Sequence, residues 1–396
     1  MTAGRYLKSL QRATTLYLVA AGLIAHALVL GAWLTYPEHA NKAFRLAGDA
    51  WEKMPGLTYA VKAEAAPQLP LHEEIASNFS PWLPLDYSGE ILPGEIRIGS
   101  RVYKTLKDAA KALKDNDLLE IGAGVYRSGF VVTADNVTIF GRGHVVLEKA
   151  AVQGKAAMVI EGNNTTLHNI ECRFITVRDN NGACVRLSGA GLVLEHVYFH
   201  DSQQGVLTGG SPGTVRIYYS RFERLGNQGR AHGLYIGGGD LIIDRSLFLA
   251  AKSEGHEIKS RSASTTITNS VIASFSSRNS RLLDISNGGV LTIKRSVLAQ
   301  GPGSANGDMI GYGLEGYKYK TNAVTLQDNV ILLERNGRDV LYHAKQPSPA
   351  LIMTGNLIIG SDSDTGSDSN LLFDTRDQAG LPAYPFLPAV SGQDGT

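Results

Sequence analysis

Thiol chemistry is nearly absent: Cys172 and Cys184 are the two cysteines in 396 residues. Two cannot make a four-ligand structural zinc site or a disulfide scaffold. A single bridge in an exported domain and a buried free pair both remain open. A dominant charge sign is missing too, since 38 Lys plus Arg face 37 Asp plus Glu. That balance removes the global electrostatic case for nucleic-acid binding. Proline is sparse at 14 and no Gly-X-Y period exists, so collagen is excluded. What the chain has in excess is glycine, 44 residues, above the usual ~7%. With 43% hydrophobic residues for a core, this favours a turn-rich β architecture.

One long uncharged run spans residues 16–34, after Arg5, Lys8 and Arg12. At 1.5 Å per residue it would reach ~28 Å, about one hydrocarbon thickness. It reads as a transmembrane signal anchor over 15–36, with 1–14 in the cytoplasm and the remainder facing the periplasm from the inner membrane. The competing reading is a cleaved signal peptide and a secreted protein, with Ala25-His26-Ala27 as the small-residue site. Residues 37–99 are Pro-punctuated and read as a stalk or linker.

From residue 100 to 360 a repeat sets the fold. Short β-branched runs recur at Ile139, Leu167, Leu194, Ile217, Ile243, Ile267, Ile293, Leu326 and Met353, about 27 residues apart on average. Five positions on, an apolar residue recurs at Phe199, Phe222, Phe248, Ile272, Leu298, Ile331 and Ile358. Three positions on stand Ser220, Ser246, Ser270, Ser296, Asn329 and Asn356. Small polar residues stacked at a turn can hydrogen-bond from coil to coil across ~4.8 Å. A leucine-rich repeat would need Leu-x-x-Leu-x-Leu, and this chain supplies Val, Ile and Thr instead. The fold class expected is an all-β solenoid, a parallel β-helix of about nine coils. An amphipathic helix over 103–114 would cap it, and the 361–396 tail, through its LPAYPFLP segment, would cover the other end. The acidic stretch at 360–370 reads as solvated linker, with calcium conceivable.

The segment YKTLKDAAKALKDNDLLEIGAGVYRSGFVVTADNVTIFGRG, with the coils after it, resembles the right-handed parallel β-helix (pectin-lyase-like) superfamily over about 260 residues. That resemblance implies carbohydrate-active chemistry on uronate-containing polysaccharides, as lyase, hydrolase or epimerase, or binding alone. The segment EIKSRS at 257–262 is similar to the E-I-I-S-x-K-S segment of the alginate and dermatan lyase group. The group's Lys base would then correspond to Lys259 or Arg261. One coil later the group carries L-R-H-G, where this chain has Leu283 and Asp284.

Outward residues on equivalent strands of neighbouring coils form a column, so positions 20–30 apart can build one site. Reading back from each anchor, that column holds Arg186, His232, Tyr235, His256, Glu257, Lys259, Asp284, Asn287, Tyr312 and His343. Alternation places Glu257, Lys259 and Arg261 on one face. In β-elimination a cation neutralises the uronate carboxylate while a base takes the C5 proton and an acid meets the leaving oxygen. Lys259 or Arg261 fits the first role, His256 or Tyr235 the others. Epimerisation shares the first step; hydrolysis would use Glu257 and Asp284 as its carboxylate pair. Arg186, His232, Tyr235, Asn287, Tyr312 and His343 are the candidate substrate contacts. From residue 173 to 300 there are 15 Lys plus Arg against 9 Asp plus Glu, and Arg216, Arg221, Arg224 and Arg230 lie near the His232 coil, which suits an anionic ligand. Calcium could assist in holding a uronate, but no classical metal-ligand spacing is present. A non-catalytic exopolysaccharide scaffold would rely instead on Tyr218, Tyr219, Tyr235 and Tyr312 as stacking surfaces.

Overall fold

Short β-branched strands that alternate inward and outward residues bury one face, and here each buried face finds its partner one coil away. In the computed structural model, residues 69–87, 91–360 and 369–389 are described. The expected transmembrane segment and most of the acidic 360–370 stretch lie outside them. No helix among the described residues is long and apolar enough to cross a membrane.

A nine-stranded sheet runs from Phe130–Val132 through Ala183–Leu187, Leu234–Ile236, Ile258–Ser260 and Leu283–Ile285 to Val340–Ala344, every neighbouring pair parallel. The remaining coil strands also stack in parallel. The chain is therefore a parallel β-helix, and right-handed winding is the sense that twisted parallel strands favour. All nine anchors pair in one unbroken register from Ile139 to Met353. The second column does the same from Phe199 to Ile358. Both columns point inward and form the core.

The corner between these two columns explains the polar recurrence. His196, Tyr219, Arg245, Asn269, Arg295 and Asp328 adopt φ between 46° and 55°, a left-handed turn that swings the chain through the corner. Immediately after the turn, Ser220, Ser246 and Ser270 each donate a backbone N–H to the side-chain oxygen of the next coil, at 3.2, 3.1 and 3.1 Å. Ser296 and Asn329 continue the ladder to Asn329 and Asn356, both at 3.0 Å. Each serine hydroxyl also donates to the carbonyl two residues before it. The backbone N–H groups of the ladder, buried at the corner, are thereby paired.

Two differences from the sequence reading concern what covers the coils. The helix expected over 103–114 is observed over Leu106–Ala112. The LPAYPFLP segment lies along a flank, where Leu381 and Leu387 pack with Leu71, Phe79, Val271, Val297 and Leu332. The physical reason is that the third strand of the later coils is apolar on both faces, as in Val271–Ala273 and Val330–Leu333. That outer face needs cover more than the end of the stack does. Helix Leu71–Asn78 supplies the rest. Beyond it the chain runs back along the coils, with Glu74 accepting from Ser276 N, Ser80 O from Arg221, Leu83 O beside His196 Nε2, and Leu85 paired with Asn169. Cys172 and Cys184 are disulfide-bonded.

Candidate functional site on the nine-stranded sheet

Strand register assembles the outer column of this sheet: Val131, Val159, Arg186, Leu207, Tyr235, Lys259, Asp284, Gly311 and His343. Their neighbours Leu234, Ile258, Leu283 and Ile285 point into the core, which fixes the column's direction. The structure thus brings Tyr235, Lys259 and Asp284 into direct succession. Arg186 stands two strands before Tyr235, and His343 two strands beyond Asp284.

Around Lys259 the polar groups converge. Its Nζ donates to Asp284 Oδ2 at 2.7 Å and to Glu315 Oε1 at 3.0 Å. Arg261 extends the cluster: Nε donates to Tyr235 OH at 2.8 Å, Nη1 to Asn287 Oδ1 at 3.0 Å, and Nη2 lies 2.5 Å from Glu315 Oε2. Its guanidinium also sits over the Tyr235 ring, 5.6 Å from the centroid. Burial and the charges of Lys259 and Arg261 act oppositely on Glu315, and the cations prevail, holding its carboxyl below the usual range.

The histidines form a buried backing. His232 and His256 stack with centroids 4.8 Å apart. The N–H of His256 donates to His232 Nδ1, and the N–H of Arg281 to His256 Nδ1, each at 3.1 Å. That places the His256 proton on Nε2, which faces Asp284 Oδ2 at 3.3 Å. Burial, then the nearby Lys259 and Arg281 charges, push the His256 pKa well below that of free imidazole. Burial and the neighbouring His256 do the same to His232. Both rings are neutral and already hydrogen-bonded, so they orient other groups.

Three expectations need correction. Glu257 does not share a face with Lys259 and Arg261: it precedes the strand Ile258–Ser260, where alternation does not apply, and its buried carboxyl accepts from Ala251 N at 2.7 Å. Burial pushes its pKa up to about 8. Tyr312 is inward and fully buried, with its OH on Gly289 O at 2.5 Å; Gly311 holds the outward position it was expected to fill. Arg221 and Arg224 do not reach this sheet. They belong to a different face, paired with Glu223, Asp201 and the carbonyl of Ser80.

Two residues of the site escaped the sequence reading. Glu315 sits on the loop between Asp308–Tyr312 and Ala323–Gln327, outside any strand register. Its signal was the step from Ile293 to Leu326, the longest between anchors. Arg281 lies over Gly311, where a Cβ would meet its Nε at 2.7 Å, and its Nη2 is 3.1 Å from Asp308 Oδ2. Asp308 also meets His343 Nδ1 at 2.8 Å. Among the described residues no group of three or more His, Cys, Asp or Glu could hold a metal ion; Asp284 and Glu315 are engaged by cations.

No protein-family model and no curated protein matches the chain. Two solved structures are similar. One is pectate lyase Pel9A, at 14% identity and a TM-score of 0.38 over 64% of this chain and 78% of that one. The other is a mutant of the PL6 family alginate lyase AlyGC, at 15% identity and a TM-score of 0.30 over 68% of this chain. This chain spans 48% of that lyase's length. Likenesses this distant carry no chemistry across to this chain.

Proposed function

We propose that the outer face of the nine-stranded sheet binds a uronate-containing polysaccharide and cleaves it by β-elimination. The observation that carries this reading is the pairing of Lys259 and Arg261 as adjacent cations, with Tyr235 OH against Arg261. The two cations neutralise the uronate carboxylate and so acidify C5–H. His256, its Nδ1 accepting from Arg281 N and its Nε2 facing Asp284 Oδ2, keeps Asp284 in place. Tyr235 is the group left to move the proton, its phenolic oxygen held at the site by Arg261 Nε at 2.8 Å. The same proton abstraction would serve an epimerase.

Hydrolysis is disfavoured by charge. A glycosidase needs one carboxyl protonated at the scissile oxygen, whereas Glu315 is held ionised by Lys259 and Arg261. Glu257, the carboxyl with a raised pKa, is buried away from the column. We further propose that the helix Leu106–Ala112 caps the first coil, since Leu106, Ala109 and Ala110 enter the core beside Phe130. The 16–34 apolar run would tether the protein to the inner membrane with the solenoid in the periplasm. The Cys172–Cys184 bridge suits such an oxidising compartment.

The test uses the purified full-length chain with a panel of polyuronates, with and without calcium, followed by ultraviolet absorbance of the unsaturated product. Tyr235→Phe should remove turnover while leaving binding, and Lys259→Ala should weaken both. A flat trace with new reducing ends would overturn elimination in favour of hydrolysis. Binding without turnover by the unaltered chain would leave a non-catalytic scaffold.

A further inference from the structure

Glu315 meets the two cations of the site with two different oxygens, Oε1 at 3.0 Å from Lys259 and Oε2 at 2.5 Å from Arg261. A carboxylate from a ligand, bridging the same pair, would need this same arrangement. Neither cation depends on Glu315 for its position: Asp284 holds Lys259, while Tyr235 and Asn287 hold Arg261. The loop backbone is anchored separately as well. Glu315 N donates to Ser286 O and Lys318 N to Asn287 O, each at 3.0 Å, and Tyr319 OH reaches Arg261 O at 2.6 Å. The Glu315 side chain is 44% exposed, against 12% for Lys259 and 7% for Asp284. It can therefore rotate into solvent while loop and cations stay in place.

We infer that Glu315 is a built-in surrogate for the substrate carboxylate, filling the position between Lys259 and Arg261 until a uronate displaces it; this rests on the uronate reading above. The tethered carboxylate competes at a high effective concentration. A free uronic acid loses that competition, and a neutral sugar has nothing to offer the cations. A uronate within an oligomer, held also by its neighbours along the column, displaces it. Glu315 thus selects for polymers.

The test is calorimetric titration of the full-length chain, Glu315→Gln and Glu315→Ala with tetrasaccharides of galacturonate, mannuronate and guluronate. Removing the competing charge should tighten binding of the recognised oligomer about fivefold in both variants, the size expected from a half-exposed ion pair. Binding by the variants that equals or falls below that of the unaltered chain overturns the surrogate role and leaves the uronate reading standing. A failure of all three chains to bind any oligouronate overturns both.

Discussion

Glu257 and Asp284 lie on successive coils, yet their surroundings impose opposite chemistry. Asp284 accepts from Lys259 Nζ, while Glu257 accepts from the Ala251 N–H and is pushed up to about 8 by burial. Between its ordinary value and pH 8, the folded chain keeps a proton on Glu257 that the unfolded chain has released. Stability therefore falls as pH rises through that window and levels off above it. Glu257→Gln, which keeps the shape and cannot ionise, should cancel this loss. We expect the variant to melt above the unaltered protein at pH 8 and level with it near pH 4, with a difference of up to a few kcal/mol in denaturant titrations. Equal pH dependence in the two proteins would show that Glu257 is ionised where it lies.

At the scale of the element, the corner ladder makes a graded prediction. Ser246→Ala strands the N–H of Ser220 and should cost ~1–3 kcal/mol. Asn329→Ala removes an acceptor for Ser296 N together with donors to Ile293 O and Asn356 Oδ1, so its loss in chemical denaturation should be the larger. Such elements were legible in the sequence because their residues repeat once per coil: anchors, second column and ladder all pair as spaced. The outward column was legible for Arg186, Tyr235, Lys259, Asp284 and His343, each of which occupies the same register position of its strand. It failed by one residue at Tyr312, because the outward position of Asp308–Tyr312 is held by Gly311, which has no side chain to mark it. Glu315 could not be read from periodicity, since a loop insertion has no equivalent in other coils. The outer cover was hidden too, because runs such as Val271–Ala273 do not reveal that both faces are buried.

For the whole molecule, that cover is part of the stability. Ending the chain at Phe373 would remove Ala379, Leu381 and Leu387 from the flank formed by Val271, Val297 and Leu332, along with the Arg376–Glu334 ion pair. At ~1.5 kcal/mol for each larger apolar side chain, the loss should be of order 3–5 kcal/mol. It should appear as a lower melting temperature and new binding of a hydrophobic dye; an unchanged melting curve would show that the flank tolerates water. The segment 69–87 has the longer reach. In a simple stack each coil touches only its neighbours, so end coils can fray while the middle stays intact. Here one stretch of chain is pinned in turn to Ser276, Arg221, His196 and Asn169. Coils far apart in the stack share a single tether, and peeling one away strips contacts from the others. The array gains the cooperativity of a globular domain, so that it unfolds as one unit and does not shed coils from its ends.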